Sequence, residues 1–160
     1  MQIGGRHASA FVTSAILVIA TAYYGSKWTN ESVNSKWYDC IRPSFTPPSV
    51  VFPIVWSVLY FGLFIAFFNT LVSLNALVTG LFLVNLMANV LWCYLFFGRQ
   101  SPRKALYAMG VLLMTSIGII GLSTSDLWVV VPVVLYAMWL GFAMVLNLSA
   151  SMKEKECQTS

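Results

Sequence analysis

Apolar runs of about span length alternate along this chain with polar breaks of very unequal size. A transmembrane helix needs roughly 20 predominantly apolar residues. Five windows meet that requirement: about Ala8–Tyr24, Val50–Leu71, Ala76–Phe97, Ala105–Leu122 and Leu127–Leu148. The breaks near Val72–Asn75 and at Ser123–Asp126 are short enough to force antiparallel neighbours. The break Gly98–Lys104 contains Ser101-Pro102, which reads as an N-cap followed by proline at the first helical position. Gly25–Ser49 is the one long break, and long ordered loops tend to be functional. The pattern predicts an all-α integral membrane protein: one domain (1–160), a five-transmembrane-helix bundle and a long loop 1 that forms a lid. Arg6 ahead of the first run gives it some likeness to a cleaved signal peptide. Its length, that of a full span, and the lack of a clear small-x-small cleavage site favour a helix.

Composition agrees with a bilayer. The chain is 59% hydrophobic and 9% charged, whereas a soluble domain carries about 25% charged residues. Eight of the nine Lys and Arg residues fall in loop 1 (Lys27, Lys36, Arg42), loop 3 (Arg99, Arg103, Lys104) and the tail (Lys153, Lys155), and Arg6 stands alone on the opposite side. The positive-inside rule therefore places loop 1, loop 3 and the C-terminus in the cytoplasm. It also puts the sequon Asn30-Glu31-Ser32 on the wrong side for glycosylation. The organelle stays open among the mitochondrial outer membrane, the endoplasmic reticulum and a bacterial membrane. The basic residues form no continuous stripe, which argues against a nucleic-acid partner. Cys40, Cys93 and Cys157 are far apart and form no CxxC pair, and His7 is the sole histidine. No metal site is predicted from these. The three cysteines are expected as free thiols, with Cys157 open to acylation.

Candidate chemistry concentrates in Trp37–Tyr60, which holds four of the six prolines and two of the six tryptophans. Proline stiffens the loop, and Trp37, Tyr38, Phe45, Phe52, Trp56 and Tyr60 run along it. Helical spacing puts Phe52, Trp56, Tyr60 and Phe64 on one face, Asn85, Asn89, Trp92 and Phe96 on another, and Tyr136, Trp139, Ala143 and Leu146 on a third. Such a stripe taken alone is more often packing than a binding surface, and it is the polar company of these stripes that points to a site. Asn89 and Asn147, placed in lipid, must either bridge helices or line a cavity. Pro132 removes a helix hydrogen bond and either opens room beside Tyr136 and Trp139 or is absorbed by packing. Asp126 is the one acidic residue in a span, at its edge, and no nucleophile–histidine set or phosphate loop is present. No catalytic residue is assigned, and nothing in the residues requires a cofactor.

The motif W-Y-x-x-x-(R/K)-P-S-(W/F)-x-P-P followed by F-P-I-V-W-x-x-L-Y resembles the translocator protein family (TspO/MBR), also called tryptophan-rich sensory protein and peripheral benzodiazepine receptor. It is carried here by Trp37, Tyr38, Arg42, Pro43, Ser44, Phe45, Pro47, Pro48, Phe52, Pro53, Ile54, Val55, Trp56, Leu59 and Tyr60. Further matches are Asn85, Leu86, Asn89, Trp92, Phe96, Phe97 and Gly98 in the third span, and Tyr136, Trp139, Phe142, Ala143, Leu146 and Asn147 in the fifth. The resemblance implies a five-helix bundle, often a homodimer, with loop 1 as a lid over a pocket. That pocket is similar to one that takes porphyrins and benzodiazepine-type ligands, and sterol in animal members.

The ligand-binding candidates are Trp56, Tyr60, Asn89, Trp92, Phe96, Tyr136, Trp139, Ala143 and Leu146. The lid candidates are Trp37, Arg42, Pro43, Phe45, Pro47 and Pro48. Arg42 or Lys36 could meet a propionate at the mouth, and a solvated, positive-inside loop is the favoured account of both charges. Where many relatives carry tryptophan, this chain has Phe45 and Val50. The helix-three glutamine is Asn85, the helix-five proline is Leu135, and Leu148 replaces the tyrosine of the sterol pattern. The small-xxx-small dimer face reads Gly80, Val84, Ala88, where Val84 hinders close approach.

The expected function is membrane binding, and translocation or sensing, of a porphyrin or haem-like tetrapyrrole, with membrane lipid around it. A light-dependent porphyrin-degrading enzyme and a sterol- or lipid-binding regulator are the alternatives.

Overall fold

The computed structural model describes residues 2–158, and the side chains of Gln2, Ile3, Lys155, Glu156 and Gln158 lie outside that description. Among the described residues the elements are all helical: α1 (Gln2–Ser32), α2 (Lys36–Ile41), α3 (Val51–Ser73), α4 (Ala76–Cys93) running into a π-helical turn (Tyr94–Gly98), α5 (Pro102–Leu122) and α6 (Leu127–Gln158). Five of them are long and apolar enough to cross a membrane. The protein is a multi-pass membrane bundle, and α2 is a short helix within loop 1.

Two boundaries differ from the sequence reading. The first helix runs through Ser32 and the last through Gln158. The α6 extension is rich in Lys and Glu, which are good helix formers, whereas the Ser-, Thr- and Asn-containing end of α1 is held by tertiary contact. At about 1.5 Å per residue these helices reach about 46 and 48 Å, well beyond a hydrocarbon core of about 30 Å. Both overhang at the end that carries loops 1 and 3, so loop 1 is shorter than Gly25–Ser49 and runs between two helical posts. Ser32 Oγ donates to Phe97 O at 3.0 Å and fixes the end of α1 to the π turn. At the opposite end the α3–α4 link is tight. Leu74 adopts the left-handed conformation (φ 58°) as C-cap, and Asn75 accepts from Val78 N at 3.1 Å as N-cap. His7 and Phe11 pack against Phe68 there.

Helices approach closely at Gly25, Gly62, Gly98 and Gly118. A Cβ at Gly62 would lie 3.2 Å from the Pro132 ring, and one at Gly98 would lie 2.9 Å from Trp28. Pro132 is thus absorbed by packing of α6 on α3, and Tyr136, one turn on, is fully buried.

Loop 3 corrects one expectation. Ser101 makes no side-chain cap to α5. Its hydroxyl donates to Glu154 Oε1 at 3.0 Å, and Arg103 N approaches Glu154 Oε2 at 3.4 Å. The buried Glu154 carboxylate, carried by the overhang of α6, caps α5 from outside, where free N–H groups and the helix dipole favour an anion. Arg103 Nε stands 3.5 Å from the same carboxylate.

The cysteine expectation is also overturned in part. Cys40 of α2 and Cys157 of α6 form a disulfide across 117 residues of sequence, while Cys93 is free and buried. Sequence distance hid the pair, because the overhang of α6 returns the tail to loop 1.

The spans are joined by amides. Asn85 Nδ2 on α4 donates to Leu112 O, Thr115 Oγ1 and Ser116 Oγ on α5 at 2.8–3.2 Å. Asn89 accepts from Tyr60 OH on α3 at 2.8 Å and donates to Tyr136 OH on α6 at 3.0 Å. Asn147 accepts from Trp92 Nε1 at 2.9 Å and donates to Pro102 O at 2.8 Å.

The two amides of α4 should differ in cost on removal. Asn89→Leu strands two buried phenols and should destabilise by about 1–2 kcal/mol. Asn85→Leu should cost under about 0.6 kcal/mol, since Thr115 and Ser116 already donate to backbone carbonyls. Unfolding in mixed micelles titrated with a denaturing detergent measures both, and equal losses would contradict the assignment. Glu154→Ala should cost about 1–3 kcal/mol, discounted for the half-exposed Arg103, and lower the thermal midpoint in detergent.

Candidate ligand-binding site

The nine binding candidates fall on three helices, α3, α4 with its π turn, and α6, and meet in the bundle interior. Asn89 sits at the centre, bonded to Tyr60 and Tyr136. The Trp56 ring lies 5.4 Å from Tyr60 and 6.3 Å from Tyr136. These four are one cluster. A second forms where Trp92, held by Asn147, lies 5.5 Å from Phe96. Ala143 is buried and Leu146 half-buried on the inner side of α6. Both asparagines that sequence left between helix bridging and ligand contact have their side-chain amides engaged in bridges.

The lid docks on these clusters. Ser35 caps α2 by accepting from Tyr38 N at 3.1 Å, which sets Trp37 and Tyr38 against the π turn. Trp37 meets Phe96 edge-on at 6.0 Å, and Tyr38 lies 5.8 Å from Phe97. Burial pushes the Tyr38 phenol above its ordinary value, with Arg42 pulling it partly back and Asp39 adding to the rise. The ring therefore stays neutral as it packs. Ile41 and Pro43 are buried beneath the lid. Beyond them Thr46 turns back on Pro43, its Oγ1 donating to Pro43 O at 2.7 Å, and Pro48 O accepts from Val51 N at 2.9 Å to start α3. Phe45 is exposed, and Pro47 and Pro48 line the outer surface of the loop. Arg42 is exposed with Asp39 at 3.6 Å, so its charge is partly met within the loop.

Two polar atoms in this region lack partners. Trp37 Nε1 and Trp139 Nε1 are buried and unbonded. Trp139 packs edge-on to Phe52 at 5.9 Å and lies 5.4 Å from Phe142. Phe52 begins α3 directly after the lid prolines. The two indole donors thus stand at the two places where loop 1 meets the bundle, one on α2 and one opposite the start of α3. A buried donor without an acceptor costs about 1–3 kcal/mol, and ligand sites are where such costs are tolerated.

Sequence reasoning left Phe52, Phe97 and Asn147 outside the candidate set. Phe97 follows Phe96 in the π turn, and widened turns of this kind recur at functional sites, but no sequence signal marks one. Two surface hollows lie away from the nine candidates. One of about 650 Å³ runs between α1 and α4 and is lined by Leu17, Thr21, Tyr24, Trp28, Met87 and Tyr94 among others. One of about 300 Å³ lies in the loop between Asp39 and Pro48. Among the described residues no group of His, Cys, Asp and Glu could hold a metal ion.

Comparison with known proteins matches this architecture. The profile of the TspO/MBR family covers residues 13–152. The chain is 33% identical over 144 residues to the tryptophan-rich protein TspO of Archaeoglobus fulgidus, covering 85% of this chain and 91% of that one. It is 32% identical over 119 residues to the translocator protein homolog of Schizosaccharomyces pombe, 67% and 70% of the two chains. It is 30% identical over 118 residues to the tryptophan-rich sensory protein of Cereibacter sphaeroides, 72% and 75% of the two. With the family profile spanning all five membrane helices, this chain belongs to the TspO/MBR family.

Proposed function

We propose that this membrane protein binds a flat, apolar, acceptor-bearing ligand of the porphyrin type at the junction of loop 1, α3, α4 and α6, and moves or senses it there. The observation that carries this reading is the pair of buried, unpartnered indole donors of Trp37 and Trp139. A tetrapyrrole offers broad π faces for Trp56, Trp139 and Phe52, and carboxylates or ring substituents that accept hydrogen bonds. Aromatic faces in offset or edge-on contact each add about 0.5–1.5 kcal/mol beyond area burial. The half-buried residues Phe52, Trp56, Trp139 and Leu146 are those with freedom to part, whereas the Asn89 cluster stays as a fixed floor. Ligand entry in this reading displaces the lid, because Trp37 and Ile41 close the approach. The names of two relatives, a translocator homolog and a sensory protein, are compatible with either moving or reporting such a ligand.

Protoporphyrin titrated into the purified protein should quench tryptophan fluorescence with saturation. Trp37→Phe and Trp139→Phe keep a ring and remove the donor. Each should weaken affinity about tenfold, the worth of one hydrogen bond to a charged acceptor at about 1.5 kcal/mol. Wild-type affinity in the double variant would refute the site.

A further inference from the structure

We propose that the Cys40–Cys157 bridge is a redox-operated latch that holds the loop 1 lid to the C-terminal overhang of α6, closed under oxidation and released by thiol reductants.

The latch joins parts with different attachments. Cys157 is placed by a continuous helix whose last turns are anchored independently. Ser151 and Glu154 are buried on the same face, and Glu154 is bonded to Ser101 and close to Arg103. Cys40 is on α2, a helix of six residues, too short to be stable alone. Beyond it the loop carries exposed Arg42, Ser44, Phe45, Pro48, Ser49 and Val50. Beside the disulfide, the hydrogen bond that joins lid and overhang runs from Lys153 Nζ to Arg42 O at 3.4 Å, and it is exposed and long. The covalent tie is therefore the strongest restraint that α6 places on the lid.

Two observations make the tie reversible. Cys40 is exposed and Cys157 only part-buried, so a reductant reaches the sulfurs; accessible disulfides are the labile and regulatory ones. The end of the bundle that carries them also holds eight of the nine basic residues, which assigns it to the cytoplasm by the positive-inside rule. There a disulfide is transient, because the thiol pool reduces it.

The step balances within thiol–disulfide exchange. A thiolate of a dithiol reductant attacks one sulfur and forms a mixed disulfide, and the second thiolate of the reductant resolves it. Cys40 and Cys157 each end as a thiol with one proton, and the two electrons come from the reductant, which leaves as a disulfide. Closure runs the reverse way against an oxidised disulfide such as oxidised glutathione.

The consequence for ligand exchange rests on the proposed binding site beneath the lid. Opening the latch frees α2 and Trp37 to swing from Phe96, and the exchange of a bound porphyrin quickens.

The full-length protein in lipid nanodiscs, equilibrated with oxidised or reduced glutathione, tests this. Maleimide labelling should find Cys40 and Cys157 blocked in the first state and reactive in the second. Amide hydrogen exchange in residues 36–48 should rise roughly tenfold on reduction, with the spans unchanged. Cys40→Ser and Cys157→Ser should show the fast exchange in both buffers and lose the response. Protoporphyrin should dissociate roughly tenfold faster from the reduced protein. A bridge that fails to form, one that resists reduced glutathione, or lid exchange equal in both states overturns the latch. Faster lid exchange with unchanged protoporphyrin dissociation supports the latch and overturns the site beneath it.

Discussion

The bundle turns on one amide. Asn89 lies inside a membrane span, where an unsatisfied polar group has no water to turn to. It meets that demand by accepting from Tyr60 on α3 and donating to Tyr136 on α6. Lipid provides no hydrophobic drive to hold helices together, so such bonds and close packing set the arrangement. One residue of α4 thereby fixes the spacing of α3 and α6, and the rings of Trp56, Tyr60 and Tyr136 pack around it in tilted and edge-on contacts. Asn85 and Asn147 repeat the device toward α5 and loop 3. The interior of this protein is a chain of aromatic rings ordered by three amides.

That order makes a floor, and the lid rests on it. Phe96 and Phe97 in the π turn present adjacent rings to Trp37 and Tyr38, while the α1 overhang grips the same turn through Ser32. The α6 overhang reaches the lid from the other side. Its Glu154 also caps α5, so a single acidic side chain ties loop 3 to the helix that carries Cys157. Loops 1 and 3 are therefore coupled through α6 although they are separated by two spans. The unpartnered donors, Trp37 and Trp139, fall at the margins of this packed floor. In the proposed binding reading, a flat ligand enters by parting the lid, whose anchors include the buried Ile41 and Pro43.

Membership of the TspO/MBR family gives the departures in this chain a physical reading. Phe45 and Val50 occupy positions where many relatives are expected to carry tryptophan, and both are exposed here. Their loss removes no packing from the floor. Asn85, in place of glutamine, is short enough to nest against Thr115 and Ser116 of α5. Pro132 meets the surface of Gly62, so the helix–helix contact and the missing backbone bond occur at one point.

Hydrophobic pattern alone determined the five spans and their antiparallel order, because span length and backbone satisfaction in lipid leave few alternatives. Helical spacing determined which aromatic residues share a face, and residue type determined that Asn89 and Asn147 needed partners. The tertiary structure decided who those partners are. Tyr60 and Tyr136 are 29 and 47 residues from Asn89, a distance over which spacing carries no information. It also decided what lies past the lipid boundary, where hydropathy falls silent: the overhangs of α1 and α6, the capping role of Glu154, and the pairing of Cys40 with Cys157. Those features depend on helices continuing into water and folding back on loops, and only the three-dimensional course of the chain brings them together.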